Sequence, residues 1–175
     1  MVIRQARFNF ILLLAAFTVC AGCQTTDKNK DQAVLRIHLE VNADAPELSS
    51  EVPVFRAHPV LVNVQKLPFL AETDVDKVDV VNTIGGFALQ IRFNHSGTDL
   101  LEQYSSMYPG RHFAIFCQFG PEKESRWLGA PQINRRITDG SLIFTPDCTR
   151  AEADEIALGL NNAANQREKR SLIKQ

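Results

Sequence analysis

Polar and apolar side chains alternate along "AVLRIHLEV". Leu35, Ile37, Leu39 and Val41 fall on one face, with Arg36, His38 and Glu40 on the other. That two-residue period predicts a half-buried strand and leaves the His38 side chain solvated. "NADAPELSS" breaks the period with turn formers. In "VPVFRAHPVLV" the apolar run is cut by Pro53 and Pro59, which predicts at most a short edge strand. "KVDVV", residues 77–81, predicts another short strand, and "TIGG" a hairpin turn. "FALQIRF" then alternates again, with Phe87, Leu89, Ile91 and Phe93 inward and Ala88, Gln90 and Arg92 outward.

The period changes after "NHSG". Leu100, Leu101 and Tyr104, with Met107 or Tyr108, recur at helical spacing. Ser96 or Thr98 can cap this helix, and Pro109 with Gly110 stops it. "HFAIFCQF" reads as a strand buried on both faces, "GPEKES" turns it, and "RWLGAPQI" begins the return. "SLIFT" is one more strand. Thr149 and Glu152 then form an S/T-x-x-E capping box ahead of a second helix. Ala153, Ile156, Ala157, Leu160 and Ala164 are its buried face, and "QREKRSLIKQ" is expected to fray. Strand groups each followed by a helix predict an α+β domain: a mixed or antiparallel sheet with two helices packed on one face.

The N-terminus follows different rules. Arg4 and Arg7 precede an apolar run of 11 residues, 10–20, about half the roughly 20 that a spanning helix needs. A charged start, a short apolar segment and small residues before a cut site define a secretory signal. Ala21 and Gly22 stand directly before Cys23, which resembles the bacterial lipobox, with Cys20 where that pattern prefers Leu. The resemblance implies cleavage before Cys23 and acylation of that cysteine, palmitate included. Several acyl chains anchor far more firmly than one. Gln24 rather than Asp follows the cysteine, which implies the outer membrane, with the domain facing the periplasm. The expected organisation is a signal peptide over 1–22, a polar tether over 23–32, the domain over 33–164 and a charged tail over 165–175.

Charge and cysteine content narrow the partners. The mature chain would keep 153 residues, 17 basic and 20 acidic. That balance gives no reason to expect nucleic acid. Cys117 and Cys148 remain in a compartment that permits disulfides. They can pair, or stay two separate buried thiols.

Known chemical motifs are missing from the sequence. His38, His58, His95 and His112 form no H-E-x-x-H or H-x-H pair, and the mature chain has no C-x-x-C. A zinc site from His112, Asp147 and Cys148 would require the fold to gather them. "HSGTD" places His95, Ser96 and Asp99 close in sequence, but turn and cap roles account for them without a catalytic triad. There is no G-x-S-x-G and no phosphate-cradling loop. The expectation is therefore no catalytic, cofactor or metal residues. Trp127, the single tryptophan, sits beside the charged loop and can either anchor a partner or cover a sheet edge.

From residue 57 to 162 the order of features resembles the head of the first periplasmic domain of SecD, the membrane subunit that assists protein export through the Sec channel. The resemblance rests on "SGTDLLEQYSSMYPGRHFAIF", "LGAPQINRRITDGSLIF" and, most specifically, the threonine-capped "CTRAEADEIALGL". It departs at "QFGPEKESRW", a longer charged loop where that family has a tight turn, and no apolar run after the leader reaches spanning length. The resemblance implies a fold and a surface that binds, not translocase activity, and it carries over no catalytic residue. The expected function is non-enzymatic binding of a protein or peptide partner by a membrane-anchored envelope lipoprotein. An exposed sheet edge or the charged loop would make the contact, by β-strand addition. A structural subunit of an envelope complex and a small periplasmic enzyme are the alternatives.

Overall fold

The computed structural model of the protein describes residues 32–44 and 46–173. The leader, Cys20, Cys23 and the tether as far as residue 31 lie outside the described residues.

The strands are β1 (Val34–Leu39), β2 (Ser49–Val54), β3 (Val60–Gln65), β4 (Leu70–Ala71), β5 (Val75–Thr83), β6 (Gly86–Phe93), β7 (Phe113–Phe119), β8 (Glu124–Gly129) and β9 (Ser141–Phe144). The helices are α1 (His95–Met107) and α2 (Arg150–Ile173), and a 3-10 turn spans Glu72–Asp74. The fold is α+β and every strand pair is antiparallel. The strands form a four-stranded sheet β4-β1-β7-β8, a three-stranded sheet β5-β6-β9 and the β2-β3 hairpin.

The alternating faces read from the sequence build the main core. Leu35, Ile37 and Leu39 of β1 pair with Cys117, Ile115 and Phe113 of β7, and all six are buried. Leu89, Ile91 and Phe93 of β6 join Leu142 and Phe144 of β9 in the same cluster. Both helices pack into it, α1 through Leu101 and α2 through Ala153, Ile156, Ala157 and Leu160. Phe69 stacks on Tyr104 at 4.1 Å and meets Phe113 edge-on at 4.8 Å, which fixes α1 against the four-stranded sheet.

Two expectations fail at the β2-β3 hairpin. Residues 49–65 form two six-residue strands rather than one short edge strand. The Val41 N–H donates to the Asn63 C=O at 2.8 Å, so the Asn63 backbone points away from β2. Its cross-strand partner Glu51, and Pro53 two residues on, therefore point away from β3. Proline costs no ladder bond there. Pro59 lies in the connection, outside both strands.

The hairpin also buries the second face of the four-stranded sheet. Val52, Val54, Val62 and Val64 pack on Ala114, with Trp127 beside them. His38, expected in solvent, is consequently 8% exposed. Its Nδ1 lies 2.7 Å from the Gln65 C=O, and burial holds the ring below its ordinary value of 6.5.

The helix ends show which local signals were sufficient. α1 is capped by Asn94, whose Oδ1 accepts from the Gly97 N–H at 2.9 Å, and not by Ser96 or Thr98. The capping box of α2 is formed: Thr149 N–H donates to Glu152 Oε2 at 2.6 Å, and Glu152 N–H to Thr149 Oγ1 at 3.3 Å. α2 does not end near residue 164. It runs to Ile173, and the Arg167 guanidinium donates to the Val75 C=O.

Candidate functional site

A three-stranded sheet has two outer edges, and this one treats them differently. On β5 the Val78 N–H donates to Asn161 Oδ1 at 2.8 Å, and Asn161 Nδ2 donates to the Val78 C=O at 2.9 Å. The Asn161 amide occupies the place a neighbouring strand would take, and Arg167 of α2 bonds the Val75 C=O farther along β5.

Among the described residues the β9 edge has no such cover. Val78 faces outward and is paired with Ile91, so the Ile91 backbone faces β9. The bond from Phe93 N–H to the Gly140 C=O, 2.9 Å, gives the same phase. Leu142 and Phe144 therefore bond to β6, while Ser141 and Ile143 present their backbone outward. The Ser141 N–H is taken by Asp139 Oδ1 at 3.2 Å. The Ile143 N–H and C=O have no protein partner among the described residues, and its side chain is 54% exposed.

Beside this edge lies a groove of about 510 Å³, walled on one side by Ser141, Ile143 and Gln90 and on the other by residues 131–139. That volume is within the range of small-ligand sites. Its far wall is fixed. Ile133 exchanges backbone bonds with Gly110 and Arg111, at 2.7 and 2.9 Å. The Ile137 N–H donates to Ser105 Oγ at 2.9 Å, and Arg136 pairs with Glu102 of α1. Arg135, on the same wall, is exposed and has no ion-pair or hydrogen-bond partner among the described residues.

The residues singled out from sequence lie elsewhere. Trp127 is half-buried under the hairpin, edge-on to His38 at 5.2 Å and to Phe116 at 5.4 Å. Cys117 and Cys148 are free thiols, the first buried and the second half-buried. Burial pushes Cys117 up to about 12 and Cys148 up to about 11, so neither is a ready thiolate. His112, Asp147 and Cys148 are not gathered into a metal site. His112 Nδ1 lies 2.7 Å from Glu40 Oε2, and Asp147 accepts from the Arg56 N–H at 2.7 Å. Among the described residues no three metal-ligating side chains converge. Burial pushes the Glu40 carboxyl up, but bonds from the His112 ring and N–H outweigh it and leave the group below its ordinary value. His95 and Asp99, 3.9 Å apart, are both exposed on the first turn of α1.

Ile143 and Arg135 were not picked out from sequence. Ile143 carried a usable signal: in "SLIFT" it is the apolar residue on the outward phase between Leu142 and Phe144.

The domain is thus an all-antiparallel α+β fold in which one edge of the three-stranded sheet is filled by Asn161 and the other has no strand partner among the described residues. Residues 50–164 match the family model of the SecDF P1 head subdomain, and the chain belongs to that family. A structure of SecDF, described as a membrane component that enhances protein export, is 17% identical with a TM-score of 0.54, over 81% of this chain and 70% of that one. A structure of SecDF in its super-membrane-facing form is 18% identical with a TM-score of 0.52, over 77% of this chain and 19% of that one. At these identities the likeness is one of fold. No curated protein matches the chain. No helix among the described residues is long and apolar enough to cross a membrane.

Proposed function

We propose that the protein is a lipid-anchored protein of the cell envelope, held through Cys23, whose SecDF-head domain binds a protein or peptide without catalysing a reaction. The observation that carries this reading is the open β9 edge beside a groove with a fixed far wall. Such an edge offers main-chain hydrogen bonds to an extended segment. The similar SecDF is described as enhancing protein export, which supports polypeptides in transit or newly arrived in the envelope as the bound class. The lipobox-like "CAGC" supports an outer-membrane anchor with the domain facing the periplasm. A standing subunit of an envelope complex is the second reading. The exposed Phe55, Val60 and Leu61 at the hairpin tip favour it, with Phe55 held at φ 70°.

Two measurements test the proposal. Metabolic labelling with palmitate should mark the wild type and not Cys23→Ala, and an unlabelled wild type would remove the anchor. A photo-crosslinking residue at position 143, in membranes, should form protein adducts that one at exposed Asp154 on α2 does not. An absence of adducts at position 143, with adducts from a hairpin-tip position 61, would favour the subunit reading instead.

A further inference from the structure

The chemistry of the groove says more than that it is open. The edge contributes one donor and one acceptor from Ile143 that have no partner among the described residues, flanked by the outward-facing Ser141 C=O. Those groups are matched by an extended backbone in β register and not by a helix, whose N–H and C=O groups are already paired internally. The facing wall carries Arg135, which has no ion-pair partner among the described residues, whereas the neighbouring Arg136 is held by Glu102 and Arg92 by Asp79. The groove's own carboxylate, Asp139, is engaged by the Ser141 N–H. Asp139 keeps its charge in that bond but is tied to the edge backbone. The Arg135 guanidinium has no bonded partner among the described residues, and a guanidinium prefers a carboxylate in bidentate geometry.

We propose that the groove takes an extended polypeptide segment carrying an acidic side chain, added as a fourth strand against β9, with Arg135 meeting the carboxylate. This rests on the reading of the domain as a peptide-binding one and specifies what it selects. Main-chain bonds to Ile143 supply affinity that tolerates many sequences, and Arg135 supplies the preference.

The test is fluorescence anisotropy on the full chain in detergent, with a labelled eight-residue peptide of alternating Val and Thr bearing Glu, Gln or Lys at its centre. The Glu peptide should bind about tenfold more tightly than the Lys peptide, the size of one exposed-to-half-buried charge contact. Arg135→Glu should reverse that order, and Ile143→Pro, which removes the outward N–H, should abolish binding of all three. The reversal guards against loss of fold, because a misfolded variant would bind neither peptide. Equal affinity for the three peptides overturns the acidic preference. Unchanged binding to Ile143→Pro overturns strand addition. If position 143 crosslinks in membranes but these peptide results fail, the binding role stands and this inference alone falls.

Discussion

The side-chain amide of Asn161 bonds both the N–H and the C=O of Val78, at 2.8 and 2.9 Å, and so acts as a one-residue strand on the edge of β5. One side of the three-stranded sheet is thereby finished by a helix, and β9 on the other side is left without a strand partner among the described residues. Asn161→Leu leaves two half-buried backbone groups without partners. The expected loss is about 1–3 kcal/mol of stability, read as a lower urea midpoint at unchanged slope.

Gly159 is where α2 passes the start of β1. A Cβ there would stand 2.8 Å from the Ala33 nitrogen and 2.9 Å from its Cβ, and backbone cannot yield as a flexible side chain would. Gly159→Ala is expected to destabilise by about 1–3 kcal/mol despite the better helix propensity of alanine. A thermal melt of the variant checks this. A raised midpoint would mean that β1 and α2 lie farther apart than the structure places them.

Acid should weaken the protein in two separable windows. Burial lowers the His38 pKa, so the unfolded chain takes up this proton first as pH falls through 6.5, and stability present above that pH declines below it. The Glu152 carboxyl is lowered to about 2 by the Thr149 N–H and by Arg126, whose guanidinium lies 2.6 Å away. Its contribution is complete above the ordinary value of 4.5 and is lost as pH falls towards 2. Urea unfolding from pH 7.5 to 2.5 should show both declines, and Glu152→Gln should shrink only the lower one, in which the lowered Glu40 carboxyl keeps its share.

The strand phases that built the core were legible because each depends on a local two-residue period. β1, β6 and β7 formed with the expected inward faces, although His38 and Ala88 on the opposite faces are buried as well, and the Thr149–Glu152 box capped α2 as its spacing required. The hairpin was not legible. Whether Pro53 breaks a strand depends on which way its nitrogen faces, and that is set by the Val41–Asn63 bond between distant segments. The burial of His38 follows from the same hairpin, since a polar face in sequence becomes an interior one once another sheet covers it. The continuation of α2 to Ile173 was hidden for a related reason. Its charged last turns gain a partner in the Val75 carbonyl through Arg167, and no local pattern reveals that. The site was the least legible part. The availability of Ile143 is decided by what lies beside β9, so its exposed side chain alone could not show it.

Amide hydrogen exchange at Ile143, with and without the Glu-centred peptide, tests the central claim most directly. A strand added to β9 must bond the Ile143 N–H, so its exchange should slow on binding while the Val78 N–H, already held by Asn161, stays unchanged. Peptide binding that leaves Ile143 exchange untouched, or that protects the outward Glu51 N–H of β2 instead, would contradict it.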